Sequence, residues 1–241
     1  MQLNESFYNK TVLHNDIRVI TERLPYVQSV AIGAWIITGS RNETKTNNGI
    51  SHYIEHMLFK GTSNRTASEI AQSLESVGGI LNAFTGKEQT CYYAHILDEH
   101  LPIAVEVISD IIVNSVFDEN EMGKEKKIVL EELNAIEDTP EELIHDLFWE
   151  DVFSGHSLGY SIIGKRNVIN KFKRNHILTY LAQNYTANKI VIAAAGNIEH
   201  ESLVQLVCEN LGEIDSTNKI KYNSPQLVSP STRLLENGAI Q

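Results

Sequence analysis

The sequence predicts an α+β fold, a two-layer sandwich in which helices cover one face of a largely antiparallel sheet. Three observations carry this expectation. The first hundred residues hold short runs of β-branched and aromatic residues joined by hairpin-type turns. The middle of the chain holds three consecutive segments in which apolar residues recur with helical spacing. A strand-like run and one more helix then follow, so the order is strands, helices and back again.

The elements follow in chain order. Residues 11–13 and 17–21 flank His14-Asn15-Asp16, a hairpin signature, and residues 27–38 read as a longer strand. A helix is expected over residues 48–59 and another over 66–77, opened by Thr66 and Glu69 in capping-box spacing and ended by Gly78-Gly79. Residues 80–84 and 89–96 form a hairpin across Thr85-Gly86-Lys87-Glu88. Helices follow over 99–114, 119–137 and 140–152, the last with Thr139 as N-cap, Pro140 at the first helical position and Glu142 completing a capping box. A glycine-marked connection leads to a helix at 176–184, a strand at 189–195 and a helix at 199–211. Residues 1–212 therefore read as one folded domain. From 213 to 241 the periodicity fades and Ser, Asn, Pro225 and Pro230 collect, which reads as a linker toward a second domain, with 233–240 as the start of another strand.

The 241 residues are 42% hydrophobic and 21% charged, which suits a globular protein with a substantial core. A formal charge of -11 argues against nucleic acid as a partner, because phosphate binding needs a basic surface. No apolar run reaches membrane-spanning length, and the N-terminus shows no basic stretch followed by an apolar one. A cytoplasmic protein that does not enter a membrane is the expectation. Cys91 and Cys208 lie far apart in predicted regular structure and read as buried thiols rather than a disulfide.

The chemistry centres on His52-Tyr53-Ile54-Glu55-His56. On a helix, positions i, i+3 and i+4 share a face, so His52, Glu55 and His56 point one way while Ile50, Ile54 and Met57 anchor the other. Two imidazoles can then grip Zn²⁺ while a carboxylate reaches a water on the metal. The competing reading is an exposed helix face with two solvated histidines. The helix around Glu132 bears on the choice: Glu125, Ile128, Val129, Glu132, Leu133 and Ile136 recur with helical spacing as one inward stripe. Carboxylates in such a stripe need a partner, and zinc is one; a buried Arg–Glu pair is the alternative. Glu131 falls instead with Lys124, Lys127 and Asp138 on a solvated face, so periodicity favours Glu132 as ligand and makes Glu125 a candidate to orient one.

The blocks His52–His56 with Met57-Leu58-Phe59-Lys60-Gly61-Thr62, Gly79-Ile80-Leu81-Asn82-Ala83-Phe84-Thr85, and Val129-Leu130-Glu131-Glu132-Leu133 resemble the pitrilysin/insulinase family of zinc metallopeptidases. Within it they are most similar to bacterial processing peptidases related to the β subunit of the mitochondrial processing peptidase. The resemblance runs from about residue 11 to 211. It implies one zinc ion per chain held by His52, His56 and Glu132, with Glu55 as general base and Glu125 as a supporting carboxylate. It also implies that Asn82, Ala83 and Phe84 lie on an edge strand that pairs with an extended peptide substrate. Phe59 is expected to wall the pocket after the cut, or else to be a core aromatic. In the processing peptidases, acids at the positions of Glu142 and Asp146 receive an arginine two residues before the cut. The resemblance further implies a second homologous domain or subunit, or self-association, to complete the substrate clamp. The expected function is a zinc-dependent endopeptidase of unfolded peptides or presequences, with water activated by Glu55 as nucleophile. The alternative is a half-enzyme, or a non-catalytic peptide-binding subunit, that needs a partner.

Overall fold

A computed structural model describes residues 7–216 of the chain. Its sheet has six strands: β1 (Asn9–Val12), β2 (Arg18–Arg23), β3 (Ser29–Ile36), β4 (Ile80–Thr85), β5 (Thr90–Leu97) and β6 (Ile190–Gly196). The spatial order is β1-β2-β6-β3-β5-β4. All neighbours are antiparallel except β2 and β6, which run parallel with Arg18 opposite Val191 and Arg23 opposite Gly196. β6 therefore fills the centre of the sheet between two strands from the N-terminal region.

The helices are α1 (Ile50–Leu58), α2 (Ala67–Glu75), α3 (Leu101–Asn114), α4 (Glu119–Asp138), α5 (Pro140–Val152), the single turn α6 (Arg166–Ile169), α7 (Arg174–Asn184) and α8 (His200–Leu211). Alternation along the strands sends Val30, Ile32, Ala34 and Ile36 of β3, with Tyr92, Ala94 and Ile96 of β5, into one continuous core. Against it pack Ile50, Tyr53, Ile54, Met57 and Leu58 of α1, Ile108 and Ile111 of α3, and Leu203 and Val207 of α8. The opposite side of the sheet is apolar and more open, with a hollow of about 550 Å³ bounded by Trp35, Phe84, Tyr93 and Ala193. Among the described residues no helix is long and apolar enough to cross a membrane.

Most predicted elements are present within a residue or two of their expected ends. The capping box of α2 is present: Thr66 Oγ1 accepts from Glu69 N and Thr66 N donates to Glu69 Oε2. That of α5 is not. Thr139 is at once the C-cap of α4 and the N-cap of α5, and its hydroxyl donates back to Ala135 O, so Glu142 caps nothing and is exposed. Cys91 is a buried free thiol as expected, whereas Cys208 is free but exposed on α8. The predicted linker beyond residue 216 and the strand at 233–240 lie outside the described residues.

Candidate metal centre

α1 carries the first two candidate ligands. Its core face is fixed by the buried apolar side chains Ile50, Tyr53, Ile54, Met57 and Leu58, and the Tyr53 hydroxyl donates to Met122 O at 2.6 Å, tying α1 to α4. The other face then presents His52, Glu55 and His56. The two imidazoles lie with ring centroids 4.6 Å apart and planes inclined at 62°.

α4 crosses this face and supplies Glu132. One carboxylate oxygen lies 3.6 Å from His52 Nε2 and the other 3.6 Å from His56 Nε2. These separations are too long for hydrogen bonds. They suit atoms sharing an ion, because two ligands each about 2.1 Å from a tetrahedral zinc lie about 3.4 Å apart. Nitrogen and oxygen donors of this kind are zinc's ordinary ligands. His52, His56 and Glu132 each offer one ligand atom within 4.8 Å of the others; Glu131 does not belong to the group.

Protonation favours metal as well. Burial, reinforced by the charge of His56, pushes the His52 imidazole down to about 3, so it is neutral with a lone pair to give. Its Nδ1 is buried and has no hydrogen-bond partner among the described residues. His56 differs: its Nδ1 donates to Glu125 Oε2 at 3.2 Å, which leaves Nε2 facing Glu132. The other oxygen of Glu125 meets Lys60 Nζ at 2.6 Å.

The inward stripe on α4 needs correction. The residues that sink into the core are Met122, Glu125, Val129 and Leu133. Ile128 is exposed and the Glu132 side chain is 43% exposed, at the margin where α4 meets the ligand face of α1. Glu125 is the buried carboxylate, at 3% exposure, and its charge is met by Lys60 rather than by a metal. Periodicity thus picked Glu132 over Glu131 although Glu132 is not itself buried.

Glu55 lies half-buried beside the ligands. Burial pushes its carboxyl up from the ordinary value, and the nearby Glu132 charge adds to this; a hydrogen bond from Thr85 Oγ1 to Glu55 Oε2 and the nearness of His56 pull the other way. Thr85 ends β4, so the sheet edge touches the candidate base directly. On that edge Asn82 and Phe84 are exposed and Ala83 is half-buried. Ala83 N donates to the side-chain Oδ1 of Asn82 at 2.8 Å, so this amide is turned away from β5, along the free edge of the sheet. Phe59, the C-cap of α1, is half-buried against the core with its ring 6.4 Å from that of Tyr92. Asp146 is half-buried and accepts from Ser161 Oγ at 2.5 Å, and it attracts the Lys87 ammonium; Glu142 stands in solvent. Thr85 and Lys60 are the contributors that sequence reasoning left without a role, although both fall within the quoted motif blocks.

Comparison with known proteins gives the family. The family model for insulinase (peptidase family M16) matches residues 18–166, and that for the peptidase M16 inactive domain matches residues 171–236. The chain is 46% identical over 205 residues to an uncharacterized zinc protease, YmxG, of Bacillus subtilis, covering 85% of this chain and 50% of that protein. It is 40% identical over 197 residues to an uncharacterized zinc protease of Rickettsia felis, covering 82% and 48%. The chain thus spans about half the length of the curated relatives it matches. Its fold is shared with a protease from Helicobacter pylori (TM-score 0.84, 21% identity, 92% of this chain and 54% of that one). It is shared also with the periplasmic protease PqqL from Escherichia coli (TM-score 0.83, 18% identity, 93% and 26%). Since the first family match alone spans more than half of the sequence, the chain belongs to the insulinase family, peptidase family M16.

Proposed function

We propose that this chain is the zinc-binding, catalytic half of a metalloendopeptidase that cuts extended peptides. The observation that carries the reading is the convergence of His52, His56 and Glu132 around one point, with the raised carboxyl of Glu55 beside them. That relatives are named zinc proteases supports it.

His52 and His56 through Nε2, and Glu132 through its carboxylate, would hold one zinc ion. Bound there, zinc acts as a Lewis acid and lowers the pKa of water toward about 7. Glu55 takes a proton from the attacking water and returns it to the leaving amine. Thr85 occupies Oε2, which leaves Oε1 of Glu55 to carry that proton. A carboxyl that burial makes more basic than usual is a better proton acceptor for the first half of the transfer. Glu125 holds the proton on His56 Nδ1, so that Nε2 keeps its lone pair for the metal.

The substrate lies along β4. An edge strand turns backbone groups toward a further strand, and the outward N–H of Ala83 is one of them, held by Asn82 Oδ1 until a substrate carbonyl takes that oxygen's place. Backbone pairing of this kind gives affinity without demanding a sequence, which fits unfolded peptides. In this reading Phe59 walls the pocket after the cut, and Asp146 with Glu142 receives a basic side chain before it. Ser161 already engages Asp146, so an incoming arginine shares that carboxylate rather than finding it free.

A second reading concerns assembly rather than chemistry. The chain spans half of its relatives and carries a match to the M16 inactive domain, which favours a unit that works with a further domain or subunit. One assay addresses the main proposal. An unfolded peptide library should be cleaved by the chain supplied with the remainder of a relative, and cleavage should stop on adding a chelator. Glu55→Gln should keep zinc yet lose hydrolysis, whereas His52→Ala should lose zinc. Undiminished zinc in His52→Ala would refute the ligand assignment.

A further inference from the structure

We propose that Glu43 is a positioning residue of the metal centre, its buried carboxylate fixing the first turn of α1 and, through Ser51, the placement of His52. The inference rests on the zinc reading above.

Glu43 lies in the loop between β3 and α1 and is only 4% exposed. Among the described residues it forms no ion pair. Its oxygens face donors from the start of α1 instead: Oε1 accepts from Ser51 N at 2.8 Å, and Oε2 from Gly49 N at 2.8 Å and Asn48 Nδ2 at 2.9 Å. Burying a carboxylate with no direct ion pair, and only the Lys87 ammonium attracted to it from further off, is unfavourable, so this arrangement must hold the chain closely where it occurs. α1 has need of it. Its N-cap is Gly49, which has no side chain and adopts φ 93°, so although Ile50 N donates to Asn47 O at 3.1 Å, the helix has no side-chain cap of its own for the amides of Gly49 and Ser51. Glu43 reaches in from outside and supplies that cap, where the helix dipole also favours negative charge.

The surroundings leave this corner little room. A Cβ on Gly49 would stand 2.5 Å from Ile163 O, and one on Gly164 2.5 Å from Asn48 O. Asn48 Nδ2 also donates to Ser161 O at 2.9 Å, and Ser51 Oγ lies 2.8 Å from the Tyr180 hydroxyl.

The two histidines are held differently, and this is why Glu43 matters to the metal. His56 is oriented from its own ring by Glu125. Among the described residues the Nδ1 of His52 has no partner, so no hydrogen bond from them sets its imidazole. Its placement depends on the backbone that bears it, and the residue immediately before it is Ser51, whose amide Glu43 holds. A metal site tolerates ligand errors of only about 0.2 Å, so loosening this turn acts on zinc affinity.

The test is zinc affinity of the 241-residue chain, by competition with a chromophoric chelator, with the visible spectrum of the Co²⁺-substituted protein as a readout of ligand geometry. In Glu43→Gln the amide NH₂ must oppose one of the N–H donors, and zinc should bind about 10–100-fold more weakly with an altered Co²⁺ spectrum. Glu43→Asp keeps both oxygens and should recover part of the loss. Val207→Ala, in the core of α8 against α3 and β2, should lower the melting temperature yet bind zinc as the unaltered chain does. Wild-type affinity and spectrum in Glu43→Gln would overturn the inference, as would an equal loss of affinity in Val207→Ala. If Glu43→Gln does not fold, Glu43→Asp decides: weakened zinc with a shifted spectrum supports the role, and unchanged values refute it. Failure of the unaltered chain to bind zinc would instead sink the metal reading itself, and this inference with it.

Discussion

Glu125→Gln asks the most of the structure, because Glu125 faces two donors at once. One oxygen accepts from His56 Nδ1 at 3.2 Å and the other meets Lys60 Nζ at 2.6 Å, with the carboxylate itself 3% exposed. Glutamine offers a single acceptor and turns its NH₂ toward whichever donor remains. Hydrogen bonds to charged groups contribute about 1.5–3 kcal/mol. Lys60 keeps 30% of its surface in water and can swing outward, so the folding cost should sit near the lower end, about 1.5 kcal/mol. For a folded unit of this size that lowers the melting temperature by about 3–6 °C. Zinc affinity should fall separately by about 10–100-fold, because a metal-bound histidine loses the group that sets its tautomer. Thermal unfolding in chelator reads the first effect, and competition with a chromophoric chelator reads the second. A lowered melting temperature with unchanged zinc affinity would show that Glu125 serves only Lys60, and the orienting role would have to be withdrawn.

Three further outcomes follow from the site. Glu132→Gln should weaken zinc binding by about 100–1,000-fold, one ligand's share of the 10–16 kcal/mol typical of a four-ligand zinc site, while Glu131→Gln should bind normally; equal losses would refute the assignment. Asp146→Asn should slow cleavage chiefly of peptides with arginine shortly before the cut, measured as kcat/KM on paired substrates, and a uniform loss would mean that it only supports Ser161. Supplying the remainder of a full-length relative, in cis or as a separate chain, should raise kcat/KM and leave zinc affinity unchanged; full activity from the monomeric 241-residue chain would exclude the two-part reading.

How much of this was legible beforehand varied with the kind of signal. Local chemistry read well. Pro140 fixed the start of α5, and the reciprocal Thr66–Glu69 pair fixed that of α2. The same spelling failed at Thr139 because one residue serves two abutting helices and has a single hydroxyl to give. Spacing placed His52, Glu55 and His56 on one face, yet misjudged Ile128 and Glu132, since periodicity identifies a face of α4 but not how far α1 covers it. Glu125 shows a related gap: it was expected to need a partner, but Lys60 lies on another element and no pattern announces the pairing. Glu43 was invisible, a loop acid whose role exists only once the chain has folded back on α1. The parallel pairing of β2 with β6 joins residues about 170 positions apart, beyond any local pattern.

That pairing governs how the molecule can be made. β2 and β3 are neighbours in sequence but not in space, and the gap between them stays vacant until Ile190–Gly196 has been synthesised. A nascent chain therefore holds two strand edges facing an empty slot while most of the protein emerges, and such edges invite pairing with other chains. Closing the sheet requires contacts of very long sequence separation, which slows folding. Any fragment ending at residue 166, where the first family match stops, would carry both candidate zinc histidines and Glu132 but no central strand. Such a fragment would keep every ligand and lose the sheet that holds them together, so dissection of this protein has to cut after α8 rather than at the edge of the motif-bearing region.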